Sequence, residues 1–421
     1  MTSNGFDDPY TRDLEYYLVG GAVRDELMGR AVKDRDFVVV GASPGEMQRR
    51  GFRPVGRGFP VFLHPRTHEE YALARTERKS GPGYRGFDVW FDPGVTLEQD
   101  LARRDLTINA MAKTSDGRII DPHGGQDDLA AGVLRHVSAA FSEDPLRVLR
   151  VARFLARFGQ HNFVIADETI ELMKAVVAAG EMEALTAERV WQELNSALGE
   201  MRPDMFVLAL RQCGALARLL PEVDRLFGIP QTEKYHPEVD TGMHVLLVLQ
   251  VISRLKRDPL LAYAALLHDL GKGLTPKEAL PRHVQHEQRG VEAVRQVCER
   301  LRAPKAYREL AVAVCRYHLI MHRLPELKAK SVLKLLQNLD GFRRPERVRQ
   351  FALVCEADSR GRGGRLDASY PSATLLLDYH EKARNVDLGD LRDLYSDPGD
   401  IAEEVRRRRI AAIQSVRRST P

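Results

Sequence analysis

The chain has 421 residues, enough for two to four domains and a substantial core. With 43% hydrophobic and 29% charged residues it reads as an ordinary soluble protein, and a net charge of only +4 leaves any affinity for nucleic acid to local basic patches. Four scattered cysteines with no CxxC pair exclude zinc fingers and a disulfide framework and suit a reducing cytoplasm, and no apolar run is long enough for a membrane span.

Residues 1–15 are polar and acidic and read as a disordered extension. Tyr16 to Val19 then reads as a buried strand that Gly20-Gly21 turns into a short helix. The next strand opens with Lys33-Asp34-Arg35-Asp36. Residues two apart in a strand share a face, so Asp34 and Asp36 aim two carboxylates across from a glycine turn whose amides can approach a phosphate. Such a pair is a minimal holder for magnesium ions carrying a triphosphate.

Further strands are expected at Val61–Leu63, Glu70–Ala74, Phe87–Phe91 and Ile119-Ile120, with a mobile basic loop over Arg75–Gly86. Arg103-Arg104-Asp105 leads into Leu106–Met111, read as a capped amphipathic helix whose entrance arginines can neutralise a triphosphate. Asp144-Pro145 has the signature of an N-cap followed by proline at the first helical position. Arg147, Arg150, Arg153 and Arg157 then recur within a sector of roughly 120°, with no acidic residue at i+4, as a face for an anionic ligand. Beyond Asp144 the pattern is helical almost to the end, and the arginines at 406–409, with Arg417 and Arg418, are candidates for gripping RNA phosphates.

Of the 13 histidines, His236, His244, His268, His283, His286, His318 and His322 crowd into one middle stretch. The apolar run 260–267 leads to His268-Asp269-Leu270-Gly271-Lys272-Gly273, where adjacent imidazole and carboxylate can reach one metal ion. His244 lies on the preceding helix and Asp358 follows. Mixed nitrogen and oxygen donors suit nickel, manganese or cobalt better than magnesium. His283, His286 and His318 are candidates for a wider site.

Taken in order, GGAVRD, KDRDFVVVG, RRDLTINAMA, IIDPHGGQDDL and SEDPLRVLRVARFLARF resemble the bacterial tRNA nucleotidyltransferases, or CCA-adding enzymes, whose head is shared with bacterial poly(A) polymerases. The order H…HD…D resembles the HD phosphohydrolase superfamily, and the combination resembles the multifunctional CCA proteins. The resemblance implies an α+β protein. Residues 16–138 would be a polymerase β-like nucleotidyltransferase head, 139–240 a helical neck, 241–342 an HD domain and 343–421 a helical tail. It implies that Asp34 and Asp36 hold catalytic Mg2+. Gly21, Arg24 and Arg104 would bind the nucleotide. Asp144 and Arg147 would present a protein template to the base of CTP or ATP, and Arg150 and Arg153 would complete that site. Asp105 and Glu143 are candidates for a third head carboxylate.

At the second site the resemblance implies that His244, His268, Asp269 and Asp358 hold an ion, usually Ni2+. The linked activities would be 2′,3′-cyclic phosphodiesterase, 2′-nucleotidase and phosphatase. The expected partners are the tRNA 3′ end, CTP and ATP, with no membrane, in a monomer or weak homodimer. Three rivals are a poly(A) polymerase, an HD-domain signalling phosphohydrolase and an RNA-binding scaffold. The last has no use for both acidic clusters.

Overall fold

The structure is a computed structural model that describes residues 8–55, 61–79, 87–90 and 92–419. It divides into two compact units, Met1–Arg189 with Gln212–Ala215, and Val190–Arg211 with Leu216–Pro421.

The first unit is built on a mixed seven-stranded sheet. Its strands are β1 (Glu15–Val19), β2 (Asp36–Val40), β3 (Arg53–Val55), β4 (Val61–Leu63) and β5 (Glu70–Leu73). β6 (Thr76–Lys79) and β7 (Phe87–Trp90) form a separate ribbon, and β8 (Ala112–Lys113) and β9 (Ile119–Ile120) complete the large sheet in the order β3-β4-β5-β2-β1-β8-β9. Strand alternation sends Val38 and Val39 of β2 to opposite faces. Val38 joins Val19, Leu101 and Ala112, whereas Val39 joins Phe52, Phe62 and Tyr71. The helices are α1 (Gly21–Leu27), α2 (Pro44–Arg49), α3 (Leu97–Ala102), α4 (Gly125–Ala131) and α5 (Leu146–Phe158).

Five local readings need correction. Asp8 to Leu14, expected to be disordered, form turns that bury Thr11, and Tyr10 packs edge-on against the His64 ring. β2 begins at Asp36, so Asp34 sits in the preceding loop and strand geometry fixes only the second carboxylate. Thr76–Lys79 of the expected loop pairs with Phe87–Trp90 as a ribbon; residues 80–86 and Phe91 lie outside the described residues. Leu106–Met111 makes one 3-10 turn at Thr107–Asn109 rather than a helix. Its backbone is drawn to distant partners: Thr107 N–H donates to Arg135, Met111 O accepts from Gly20, and Ala112 enters β8 beside β1. Tertiary pairing overrides helical propensity there. α5 starts one residue later than read, at Leu146, yet Asp144 Oδ1 still accepts the Leu146 N–H at 3.0 Å.

The second unit is helical. Its centre is Pro259–Leu267, buried from Leu261 onward, which is what an all-apolar helix requires. Thr241–Leu255, Lys305–His322 and Pro345–Arg360 pack around it, and His286–Arg300 packs on Lys305–His322. Pro371–Arg384 and Pro398–Ser419 pack together further on. The tail arginines are engaged within the protein. Arg406 pairs with Glu403, Arg407 with Glu404, Arg408 with Asp390 and Glu404, and Arg409 lies 3.7 Å over the Phe342 ring. Arg417 donates to Pro325 O, and the side chain of Arg418 lies outside the described residues. No described helix is long and apolar enough to cross a membrane.

Candidate functional site

In the first unit, Gly20, Gly21, Arg24, Asp36, Arg104, Asp144, Arg147, Arg150 and Arg153 line one cleft of about 590 Å³. Gly20 ends β1 at φ +69°, and a Cβ there would lie 2.8 Å from Arg104 Nη1, so only glycine permits both the turn and the approach of the arginine. Asp36 stands at the cleft and its carboxylate accepts no hydrogen bond among the described residues; Asp34 and Asp36 are both exposed, and Asp34 is not part of the lining. Desolvation of Asp36 pushes its carboxyl upward; Arg104 opposes this and the charge of Asp34 adds to it. Acceptor-only oxygens left without donors are the donor set a hard cation takes.

The arginine stripe has acidic partners that the helix sequence does not contain. Asp105 is buried. Its Oδ2 lies 2.7 Å from Arg150, while Oδ1 accepts from Leu106 N–H and Asn109 Nδ2. Burial alone would raise this carboxyl, but Arg150 and Asn109 hold it down at about 2. Asp105 is thus a brace, with its oxygens engaged, rather than a third metal-directed carboxylate; Glu143 does not line the cleft. Asn109 Oδ1 accepts from Arg24, Arg24 pairs with Asp25, and Asp25 pairs with Arg157 at 3.2 Å. Arg147 is buried and donates to the carbonyls of Ala140 and Arg103 at 2.8 and 2.6 Å. Asp144 Oδ2 lies 2.8 Å from Arg189.

Asp100 was invisible in the sequence. Fully buried on α3, it grips Arg103 at 2.7 Å and Arg104 at 3.2 Å, so one carboxylate aims both cleft arginines. Only its i,i+3 and i,i+4 spacing to the two arginines on a helix could have signalled it.

In the second unit, His244, His268, Asp269 and Asp358 converge and are all buried. His244 Nε2 lies 3.1 Å from Asp358 Oδ1, and His268 Nε2 lies 3.2 Å from Asp269 Oδ2 and 3.7 Å from Asp358 Oδ1. The other oxygen of Asp269 faces two more imidazoles, His286 Nε2 at 3.2 Å and His318 Nε2 at 3.7 Å, which are themselves 3.2 Å apart. Asp269 therefore joins two groups of donors. Gly271 permits this. A Cβ there would lie 1.9 Å from the His286 carbonyl, so only glycine lets the two segments close.

The donor chemistry fits divalent metal. His268, His286 and His318 each place Nδ1 on a backbone carbonyl, of Ala265, His283 and Val314 or Cys315, and His244 Nδ1 lies 3.0 Å from Glu238. The carbonyls fix Nδ1–H on His268, His286 and His318 and turn their Nε2 atoms toward each other and toward the carboxylates. Among the described residues neither oxygen of Asp269 accepts a hydrogen bond in good geometry, although the Lys272 ammonium lies 2.7 Å from Oδ2. Burial drives His318 down to about 3, which keeps it a neutral ligand. Burial also opposes charging of His268, but Asp269 and Asp358 outweigh it and hold it up at about 9; a cation between them relieves the same attraction.

His283 belongs to neither group. Its Nε2 lies 3.0 Å from Pro230 O and its Nδ1 2.8 Å from Thr275 Oγ1, so it buttresses a loop. His236 contacts Glu238, and His322 contacts Asp358 at 2.7 Å. A cleft of about 730 Å³ opens beside the cluster, lined by Lys272, His286, His322, Arg282, Arg362 and the exposed Tyr235, Val284 and Ile320.

Three stretches match known families: residues 16–135 the poly A polymerase head domain, 162–227 the probable RNA and SrmB- binding site of polymerase A, and 241–356 the HD domain. The chain is 56% identical over 401 residues to the multifunctional CCA protein of Nitrosococcus oceani, covering 95% of this chain and 98% of that one. It is 57% identical over 408 residues to that of Alkalilimnicola ehrlichii, covering 97% and 99%. The chain belongs to the multifunctional CCA protein family. Among solved structures, the CCA-adding enzyme of Bacillus stearothermophilus in complex with CTP matches with a TM-score of 0.63 at 22% identity, over 96% of this chain and 90% of that one. That likeness gives the fold, a polymerase head followed by helical domains, and the α+β class follows.

Proposed function

We propose that the chain adds or repairs the 3′-terminal CCA of tRNA from CTP and ATP without a nucleic-acid template, releasing pyrophosphate. The observation that carries this reading is a cleft that gathers Asp36, Gly21, Arg24, Arg104, Asp144, Arg147, Arg150 and Arg153 in a member of the multifunctional CCA protein family.

In this reading Asp36 and Asp34 hold Mg2+, which supplies activation of the attacking hydroxyl and charge neutralisation on the leaving oxygens. Arg104 and Arg24 bind the triphosphate, with Asp100 fixing the first and Asn109 the second. The Asp144 carboxylate, held by Arg189 and the Leu146 N–H, and the Arg147 guanidinium present acceptor and donor to the Watson–Crick edge of the base. Catalysis is then positioning and electrostatics, and no nucleophilic side chain takes part.

The HD cluster is a second active site. His244, His268, Asp269 and Asp358 would hold a divalent ion, and His286 and His318 stand on the other oxygen of Asp269 as further donors. Nickel or a similar divalent ion suits this mixed set and supplies Lewis-acid activation of a phosphoryl group. The reactions are 2′,3′-cyclic phosphodiester, 2′-nucleotide and phosphomonoester hydrolysis.

Incubation with tRNA lacking its terminal CCA, plus CTP and ATP, tests the first activity. Addition of three nucleotides and then a halt is expected. An unlimited A-only tail would identify a poly(A) polymerase instead.

A further inference from the structure

We propose that the side-chain amide of Gln231 donates a hydrogen bond to a phosphoryl oxygen of the ester bound in the HD cleft. This rests on the reading of that cleft as a phosphohydrolase site.

Gln231 lines the cleft and is 3% exposed. Its Oε1 accepts from Lys272 Nζ at 2.5 Å, and that ammonium lies 2.7 Å from Asp269 Oδ2. Because the oxygen faces an ammonium, which can only donate, the amide is oriented with its NH2 on the other side. That nitrogen has no hydrogen-bond partner among the described residues. Two N–H groups shut away from water beside a cleft call for an acceptor. A phosphoryl oxygen accepts and never donates, and Lys272 adds the positive charge such an oxygen favours.

The backbone holds the amide in place. Gln231 N–H donates to Val239 O at 2.6 Å, Pro230 bridges to Asp240, and Asp240 caps the helix that carries His244. His283 fastens the loop from the other side through Pro230 O. The donor is therefore pre-positioned with respect to the cluster. It lies ahead of the stretch 241–356 that matches the HD domain, so the HD signature does not contain it.

Calorimetric titration of inorganic phosphate into the full chain loaded with Ni2+, with bound metal counted by mass spectrometry, tests the assignment. Gln231→Glu keeps an oxygen for Lys272 but replaces the donor with a second acceptor; Gln231→Leu removes both. Both variants are expected to keep the wild-type metal content and to weaken phosphate binding by about tenfold or more, Glu the worse of the two. Wild-type phosphate affinity in Gln231→Glu would overturn the proposal, since Gln231 would then only hold Lys272. Loss of metal in either variant would overturn it too, assigning the residue to the metal site. A metal-loaded wild-type protein that binds no phosphate would refute the phosphohydrolase reading itself, a result separate from any variant.

Discussion

The nucleotide cleft and the HD cluster solve opposite electrostatic problems. The cleft gathers arginines and, among the described residues, leaves the Asp36 carboxylate without a hydrogen-bond donor, so it suits a polyanion carried with a cation. Each arginine would repel its neighbours, and buried acids (Asp100 for Arg103 and Arg104, Asp105 for Arg150) keep them in place. The HD cluster is the reverse: imidazoles and the Asp269 and Asp358 carboxylates crowd together behind almost no exposed surface, a donor set suited to a cation. One site is braced by protein charges and open to its ligand. The other is completed by its ligand.

The largest effect that could break this contrast is at Asp269, whose two oxygens face different imidazole pairs. Asp269→Asn should lower bound divalent metal and cut cyclic phosphodiester hydrolysis by about a thousandfold or more, because the carboxylate is common to both groups of donors. Metal content and rate measured together check it. Retention of both would separate the cluster from the hydrolase.

Base selection comes next. Arg147→Ala should erode discrimination by ~1–3 kcal/mol, the range of one bidentate contact, in competition assays with GTP and UTP. It should leave tRNA binding nearly intact. Unchanged selectivity would mean that another group reads the base.

The pH response sharpens the role of Asp105. Its folded carboxyl sits near 2, below the ordinary 3.8, so folding depends on its charged form. That stability is present above pH 4 and is lost as pH falls from about 4 through 2, amounting to about 2 kcal/mol. Asp105→Asn should flatten that part of the unfolding curve of the first unit.

The smallest effect is expected in the tail. Arg408 is already paired with Asp390 and Glu404, so Arg408→Ala should change tRNA affinity by less than about twofold in a filter-binding assay.

What the sequence made legible were features whose partners are close in the chain. The Gly20-Gly21 turn, the stripe from Arg147 to Arg157 and the apolar helix ending at His268 follow from local spacing and are present, and Asp144 accepts the Leu146 N–H although Pro145 takes the N-cap position. Partnership across the fold was not legible. Arg150 meets Asp105 over 45 positions and Lys272 meets Gln231 over 41, and no local pattern announces either. The same blindness produced the errors. Leu106–Met111 has helical periodicity, but distant strands claim its backbone, and His283 looks like a ligand until Thr275 and Pro230 are seen to occupy its ring.

The central claim is that one chain carries two separable active sites, and crossed variants test it most directly. Asp34→Asn and His268→Ala are assayed side by side for CCA addition with Mg2+ and for 2′,3′-cyclic nucleotide hydrolysis with Ni2+. The account predicts that Asp34→Asn lowers addition by several orders of magnitude with hydrolysis intact, because a metal-held leaving group depends on that charge. His268→Ala should do the reverse. A folded Asp34→Asn protein lacking both activities, or a His268→Ala protein that still opens the cyclic phosphate at the wild-type rate, would contradict it.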